Sequence, residues 1–372
     1  MQEADISSLT TQVLCCAFAL AVLFGAIAQH THFCTMGAVA DIVSTGDWTR
    51  MRMWVLAIGV AVLGFNLMVG LGWLQAGKTI YATPRLLWLS NLSGGLMFGF
   101  GMTLASGCGG KTLIRIGAGN LKSLLVFVML GVSAFATLKG VTAVVRVETV
   151  DAISVTLPAG QDLPSLLSAV LGTSQAKTAL LLGGGIGGAL MLWAVSSAAG
   201  RSPDVLIGGL GVGMVIVAIW WVAGRMGHVA EHPLTLQESY LGSTTGQYIE
   251  ALSFVGPIAY TLDWLMFFSD RSKALTIGIV ATLGMVVGSA AHALLTKSFH
   301  WEGFRGVEDT AKHMVGALLM GVGGVTALGC TIGQGLSGIS TLSLGSFIAL
   351  GAIIGGALLG LRYQIWRLER MA

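Results

Sequence analysis

Three cysteines stand where this sequence could do chemistry: Cys34 in "HFCTMGAVAD", Cys108 in "ASGCGGKTLIRIGAGNLKS" and Cys330 in "LGCTIGQGLSG". The chain has five cysteines, an odd number, and these three lie in glycine-rich or small-residue settings instead of a disulfide framework, so free thiols are expected. A thiol is a weak hydrogen-bond donor and, once ionised, a nucleophile or a soft metal ligand. Cys15 and Cys16 differ in setting, since they fall inside an apolar run where free cysteine commonly acts as a small hydrophobe. Glycines flank the other thiols: Gly107, Gly109 and Gly110 around Cys108, Gly329 and Gly333 around Cys330. They free the backbone for tight turns, and uncovered N–H groups at a helix N-terminus attract anions without a buried cation. The same glycines could instead serve only close helix packing. Gln334 and Lys111 complete the set of residues expected to meet a substrate.

Other chemistries were open to these motifs. Residues 105 to 112 fit a loose phosphate-loop spelling ending in Gly110-Lys111-Thr112, but a true loop of that kind follows a buried strand and has an acidic Mg²⁺ ligand nearby. Here it follows an apolar, glycine-rich run, and the related "ALGCTIGQGLSG" lacks the Lys and Thr. Neither nucleotide nor nucleic-acid binding is expected. His30, His32 and Cys34 alternate as on one face of an extended segment and could ligate Zn or Cu, with Asp41 as a fourth ligand. The blander account places both histidines at a polar span end, and no metal or other cofactor is expected. Lys111 and Arg115, four apart, share one helical face. They either snorkel to lipid headgroups or help to hold and release an anion.

The elements that position these residues must be membrane helices. Of the 372 residues 54% are apolar and only 10% charged, with a mean hydropathy of +0.82, far from soluble usage. Nine spans are expected, near 11–29, 52–74, 86–106, 121–138, 178–198, 205–224, 274–295, 312–329 and 345–362. The opening "MQEADISSLT" is acidic and polar, unlike a secretory signal, so the first apolar run counts as a mature span. Residues 139–177 read as a structured, mildly strand-like loop outside the bilayer. Within 225–273 the apolar stretch broken by Gly256 and Pro257 reads as re-entrant or interfacial.

A repeat is visible at an offset of 222, pairing Gly94 with Gly316, Gly99 with Gly321, Gly101 with Gly323, Ala105 with Ala327, Gly107 with Gly329 and Cys108 with Cys330. The matched motifs end the third and eighth spans, a displacement of five, so the second copy must run inverted. The expected fold is an all-α integral membrane protein in one transmembrane domain over 1–372. Its parts are a first repeat near 11–138, a linking loop and helix near 139–200 and an inverted repeat near 205–362, a 4+1+4 plan with short re-entrant helices. Inverted repeats of this kind place a substrate site at the midplane, where discontinuous helices meet. Twelve basic residues gather on the side of the C-terminus, among them Arg50, Arg52, Arg305 and Arg370, which by the positive-inside rule puts the C-terminus in the cytoplasm and the N-terminus outside.

Taken together, "HFCTMGAVAD", "ASGCGGKTLIRIGAGNLKS" and "LGCTIGQGLSG" resemble the YeeE/YedE family of bacterial inner-membrane sulfur transporters. The resemblance covers most of the chain and implies thiosulfate uptake by an hourglass-shaped helical protein that is not an enzyme. It also implies cysteines at the constriction, carried here by Cys34, Cys108 and Cys330. A cytoplasmic partner follows from it as well, a TusA-like sulfur carrier or a rhodanese-type protein. The chain differs from the family pattern in having His32-Phe33 before Cys34 and "GCGGKT" around Cys108, so related sulfur or selenium compounds stay open as substrates. The physics agrees with passage of a dianion, which thiolates would repel and neutral thiols would not. A membrane sulfurtransferase forming a cysteine persulfide is the alternative.

Overall fold

The computed structural model describes residues 3–371 apart from Leu234, Arg271 and Arg305. Arg305, counted above among the basic residues, therefore lies outside the described residues, as do Met1 and Gln2 of the opening stretch.

Fourteen α-helices follow one another: α1 (Glu3–His30), α2 (Thr35–Thr45), α3 (Thr49–Gly70), α4 (Trp88–Leu104), α5 (Gly109–Gly117), α6 (Leu121–Lys139), α7 (Val141–Glu148), α8 (Leu163–Leu171), α9 (Gln175–Val195), α10 (Pro203–Trp221), α11 (Val255–Met266), α12 (Ile277–Leu295), α13 (Val307–Thr326) and α14 (Leu344–Met371). Among the described residues strands are confined to two-residue pairs, β1 (Arg85–Leu86) with β2 (Val155–Thr156) and β3 (His228–Val229) with β4 (Ser239–Tyr240). The chain is an all-α multi-pass membrane protein. Each of the nine expected spans coincides with a helix, namely α1, α3, α4, α6, α9, α10, α12, α13 and α14. Seven of the nine are long and apolar enough to cross a bilayer on their own. The other two fall short because α4 has 17 residues and α13 opens on Glu308, Asp309 and Lys312. Both are surrounded largely by protein, which removes the demand for a lipid-compatible surface.

Helix ends collect on two faces. On the face of the C-terminus, His30 meets His292 at 3.3 Å, Arg52 donates to the Trp193 carbonyl at 2.7 Å and Gln364 to the Thr103 carbonyl at 2.9 Å. On the face of the N-terminus, Lys78 pairs with Glu238 at 2.6 Å, and the Leu163 amide donates to the Leu342 carbonyl at 3.0 Å. Packing between the spans has a mirrored logic: α1 lies on α12 as α10 lies on α3, and α4 lies on α14 as α13 lies on α6. The centre of this arrangement is the crossing of α4 with α13. A Cβ on Gly101 would stand 2.7 Å from the Gly316 carbonyl oxygen, and one on Gly316 would stand 2.6 Å from that of Gly101. The glycines matched at offset 222 within these spans are thus contact glycines, since small residues let backbones approach where no apolar driving force exists.

One expectation changes, and one is met. Residues 139–177 are mostly helical, with β2 as the sole strand of that loop among the described residues; Val141, Val144, Val145 and Val147 of α7 all face outward, so an apolar surface outweighs β-branched propensity there. The segment broken by Gly256 and Pro257 forms α11, whose 12 residues reach about 18 Å, too short to cross.

Candidate functional site

Each of the three cysteines follows the same local device. The spans α1, α4 and α13 end in a left-handed residue two positions before the thiol: His32 (φ 53°), Ser106 (φ 56°) and Leu328 (φ 57°). The next residue closes a six-residue turn, with Phe33 donating to the Ala28 carbonyl at 3.1 Å, Gly107 to Met102 at 2.8 Å and Gly329 to Gly324 at 2.8 Å. This is the Schellman pattern, built without glycine at the left-handed position. It turns the chain back toward the middle of the membrane, where the cysteine opens a short helical element.

Cys34 caps α2 in an extended conformation, and its Sγ accepts the Gly37 N–H at 3.4 Å. Cys330 accepts the Gly333 N–H at the same 3.4 Å and leads into a π-helical stretch, Gly333–Gly338. Cys108 opens α5, its carbonyl receiving the Thr112 N–H at 2.9 Å. All three cysteines are free thiols; Cys108 and Cys330 are buried, and Cys34 partly so. They converge, with Cys108 within electrostatic reach of both Cys34 and Cys330. Cys34, Thr35, Cys108, Gly110, Lys111 and Ile332 surround a cavity of only about 10 Å³, the space of a single water.

Wider spaces lie on either side. Toward the N-terminal face a vestibule of about 310 Å³ is lined by Arg146, Glu250, Ser253, Tyr260 and Gly329. Toward the C-terminal face a cavity of about 290 Å³ is lined by Ser106, Arg115, Lys122, Glu302, Asp309 and His313. Lys122 is held by Asp309 at 3.0 Å and Glu302 at 3.6 Å, whereas neither Lys111 nor Arg115 has an ion pair among the described residues. Basic side chains without an ion pair therefore stand at the waist and on its C-terminal side, Lys111 on the waist lining and Arg115 beyond it.

The remaining candidates divide by what holds them. Gly109 and Gly110 open α5 against Phe254, and a Cβ at either would have ordinary room, so packing does not demand glycine there. Gly107 sits against the stem of Lys111. Gly333 is crowded by Ser253 Oγ, 2.6 Å from its Cβ position, and by the Tyr81 hydroxyl at 3.4 Å. Gln334 is fully engaged, Nε2 donating to the Ala327 carbonyl at 2.6 Å and Oε1 accepting from Ser346 Oγ at 2.6 Å, so it braces the turn below Cys330. His30 turns away to His292 and Asp204, and Asp41 pairs with Arg50 at 3.2 Å. Among the described residues no three His, Cys, Asp or Glu side chains converge as a ligand group. Cys15 is exposed on α1. The segment around Lys111 lacks a preceding strand, because α4 leads into it.

One signal went unread in the sequence. Cys34-Thr35-Met36-Gly37 and Cys330-Thr331-Ile332-Gly333 share the pattern Cys-Thr-x-Gly, and the structure gives both the same cap.

Among the described residues, eight mirrored helices and a ninth beside them, around a thiol-lined waist between two vestibules, define a multi-pass membrane protein of the transporter kind. Within that class the chain belongs to the sulphur transport family, whose profile matches residues 30–359. Among its curated relatives, the thiosulfate transporter TsuA of Escherichia coli (strain K12) is 25% identical over 344 residues, which is 90% of this chain and 90% of the relative. The thiosulfate transporter TsuA of Spirochaeta thermophila is 25% identical over 335 residues, 88% of this chain and 92% of that protein.

Proposed function

We propose that this protein carries thiosulfate across the bacterial inner membrane, with Cys34, Cys108 and Cys330 as neutral S–H donors at the waist. The convergence of the three thiols supports this reading most directly. In Cys34 and Cys330 the sulfur already accepts a backbone N–H, which leaves the S–H free to point at a passing anion. A thiol is a weak donor, and weak successive contacts suit passage, since a site must admit its ion and also release it. Gly109 and Gly110 at the start of α5 contribute amides and partial positive charge at the same level. At the waist and beyond it Lys111 and Arg115 draw the dianion onward, and Gln334 fixes the position of Cys330 without touching substrate.

Two inverted repeats around a linking α9 account for the mirrored packing, the first ending at α6 and the second opening at α10. We place the C-terminus in the cytoplasm, so that free Lys111 and Arg115 lie on the exit side and a sulfur carrier or rhodanese-type acceptor docks at that face. The waist, about 10 Å³, is smaller than thiosulfate, so passage requires the half-helices to part.

The test is uptake of labelled thiosulfate into liposomes holding only this protein. Cys108→Ala and Cys330→Ala should each abolish most uptake while the protein still elutes as a folded species. Undiminished transport in both variants would refute the thiol pathway.

A further inference from the structure

We propose that Thr35, Thr331 and Tyr81 bind the oxygen atoms of the substrate while the thiols meet its sulfur, so that the waist recognises both ends of a sulfur oxyanion. The inference rests on the thiosulfate reading above and adds residues that neither the cysteines nor the glycines supply.

Three side chains carry it. Thr35 is 2% exposed, Thr331 0% and Tyr81 3%; the Thr35 and Tyr81 hydroxyls have no hydrogen-bond partner in the protein, and the Thr331 hydroxyl has only the Cys108 thiol within reach. Leaving a buried hydroxyl unpaired is costly, so such groups call for an explanation. Threonine within the spans commonly satisfies itself: Thr31, Thr112, Thr282 and Thr326 all donate to the carbonyl four residues back. Thr35 and Thr331 sit directly after a capping cysteine, one place into the helical element, where the carbonyl four residues back belongs to the preceding turn. Their hydroxyls stay available for that reason.

Each of the three stands beside one of the thiols. Thr35 lines the small cavity beside Cys34 and Cys108, and Thr331 approaches the Cys108 thiol. Tyr81 lies 3.4 Å from the Cβ position of Gly333, within electrostatic reach of Cys330, on the side where Ser253 leads in from the wider vestibule. Each thiol thus has a neutral hydroxyl beside it. A thiosulfate ion presents one terminal sulfur and three oxygens. A hydroxyl donating to an anionic oxygen makes a stronger, more directional bond than a thiol does, so the oxygens supply the specificity and the sulfur the path.

The experiment uses the whole protein in liposomes, with thiosulfate as probe and Thr35→Val, Thr331→Val and Tyr81→Phe as near-isosteric variants. Each should raise the KM for uptake about tenfold to a hundredfold, the range for losing a hydrogen bond to a charged group. Because the lost hydroxyl has at most a thiol partner without substrate, the unliganded melting temperature should hold or rise, while the stabilisation conferred by thiosulfate shrinks. Thr331→Ser, which restores the hydroxyl, should recover uptake. Wild-type KM in the variants, or a lower unliganded melting temperature with an unchanged thiosulfate shift, overturns the assignment in favour of a structural role. If the wild-type protein takes up no thiosulfate, the functional reading falls and this one with it. If the wild type transports and Cys108→Ala does not, the hydroxyl variants judge the inference alone.

Discussion

Gln334 offers the sharpest separation between holding a site and being one. Its amide bridges the last turn of α13, through the Ala327 carbonyl at 2.6 Å, to Ser346 at the start of α14, also at 2.6 Å, and the side chain is 2% exposed. Gln334→Leu keeps approximate shape but strands two buried groups, the Ala327 carbonyl and the Ser346 hydroxyl. Each unsatisfied group costs about 1–3 kcal/mol, so the variant should lose about 2–6 kcal/mol. Adding Ser346→Ala removes one of the stranded groups and should return about 1–3 kcal/mol. Thermal unfolding of the detergent-purified protein reads this directly, and uptake measured in parallel should fall in the single variant because the Cys330 turn loosens. If the double variant is no more stable than the single one, the Ser346 hydroxyl has another partner and the bracing role is wrong. A single variant with native stability and native KM would sink the reasoning altogether.

Four further outcomes are expected. Gly316→Val, whose Cβ would stand 2.6 Å from the Gly101 carbonyl oxygen, should cost about 1–3 kcal/mol by overpacking the central crossing. Gly110→Ala, with nothing nearer than 3.5 Å, should fold at least as well as the parent, and melting curves of the pair compare the two. The hydrogen bond from Lys78, together with His228 nearby, holds the Glu238 carboxyl below the ordinary glutamate range. A depressed folded value means that this stabilisation is complete above about pH 4.3 and lost as pH falls through the lower value. Because the pair is about a third exposed, the gain is about 0–1 kcal/mol, and Glu238→Gln should flatten only the acid limb of melting temperature against pH. Finally, mass spectrometry after exposure to thiosulfate should find no added sulfur on Cys34, Cys108 or Cys330; a gain of one sulfur atom would favour the persulfide relay.

What could be read from the sequence was what repeats or runs long. Apolar runs announced the nine spans, and the glycines at offset 222 marked the faces on which α4 and α13 cross, although for packing more than for anions. The short helical elements were harder. Residues 35–45 and 109–117 are too brief for a periodic signal, and their starts depend on left-handed turns at His32 and Ser106 that no glycine advertises. Thr35, Thr331 and Tyr81 were invisible for a related reason, since a lone hydroxyl has no period. The Cys-Thr-x-Gly pair could have exposed two of them, but its copies lie 296 residues apart, off the register that the glycines set.

The narrowness of the waist has an electrical consequence. The thiols lie between two vestibules, and the cavity among them has the space of only a single water. A transmembrane voltage drops where the conductor is poorest, so nearly the whole potential falls across this constriction and little across the vestibules. For a divalent anion each 100 mV is worth about 5 kcal/mol, and that work is concentrated at the narrow level of the thiols. Transport would then be voltage-sensitive at one step, the crossing of the thiols, and nearly indifferent to voltage everywhere else.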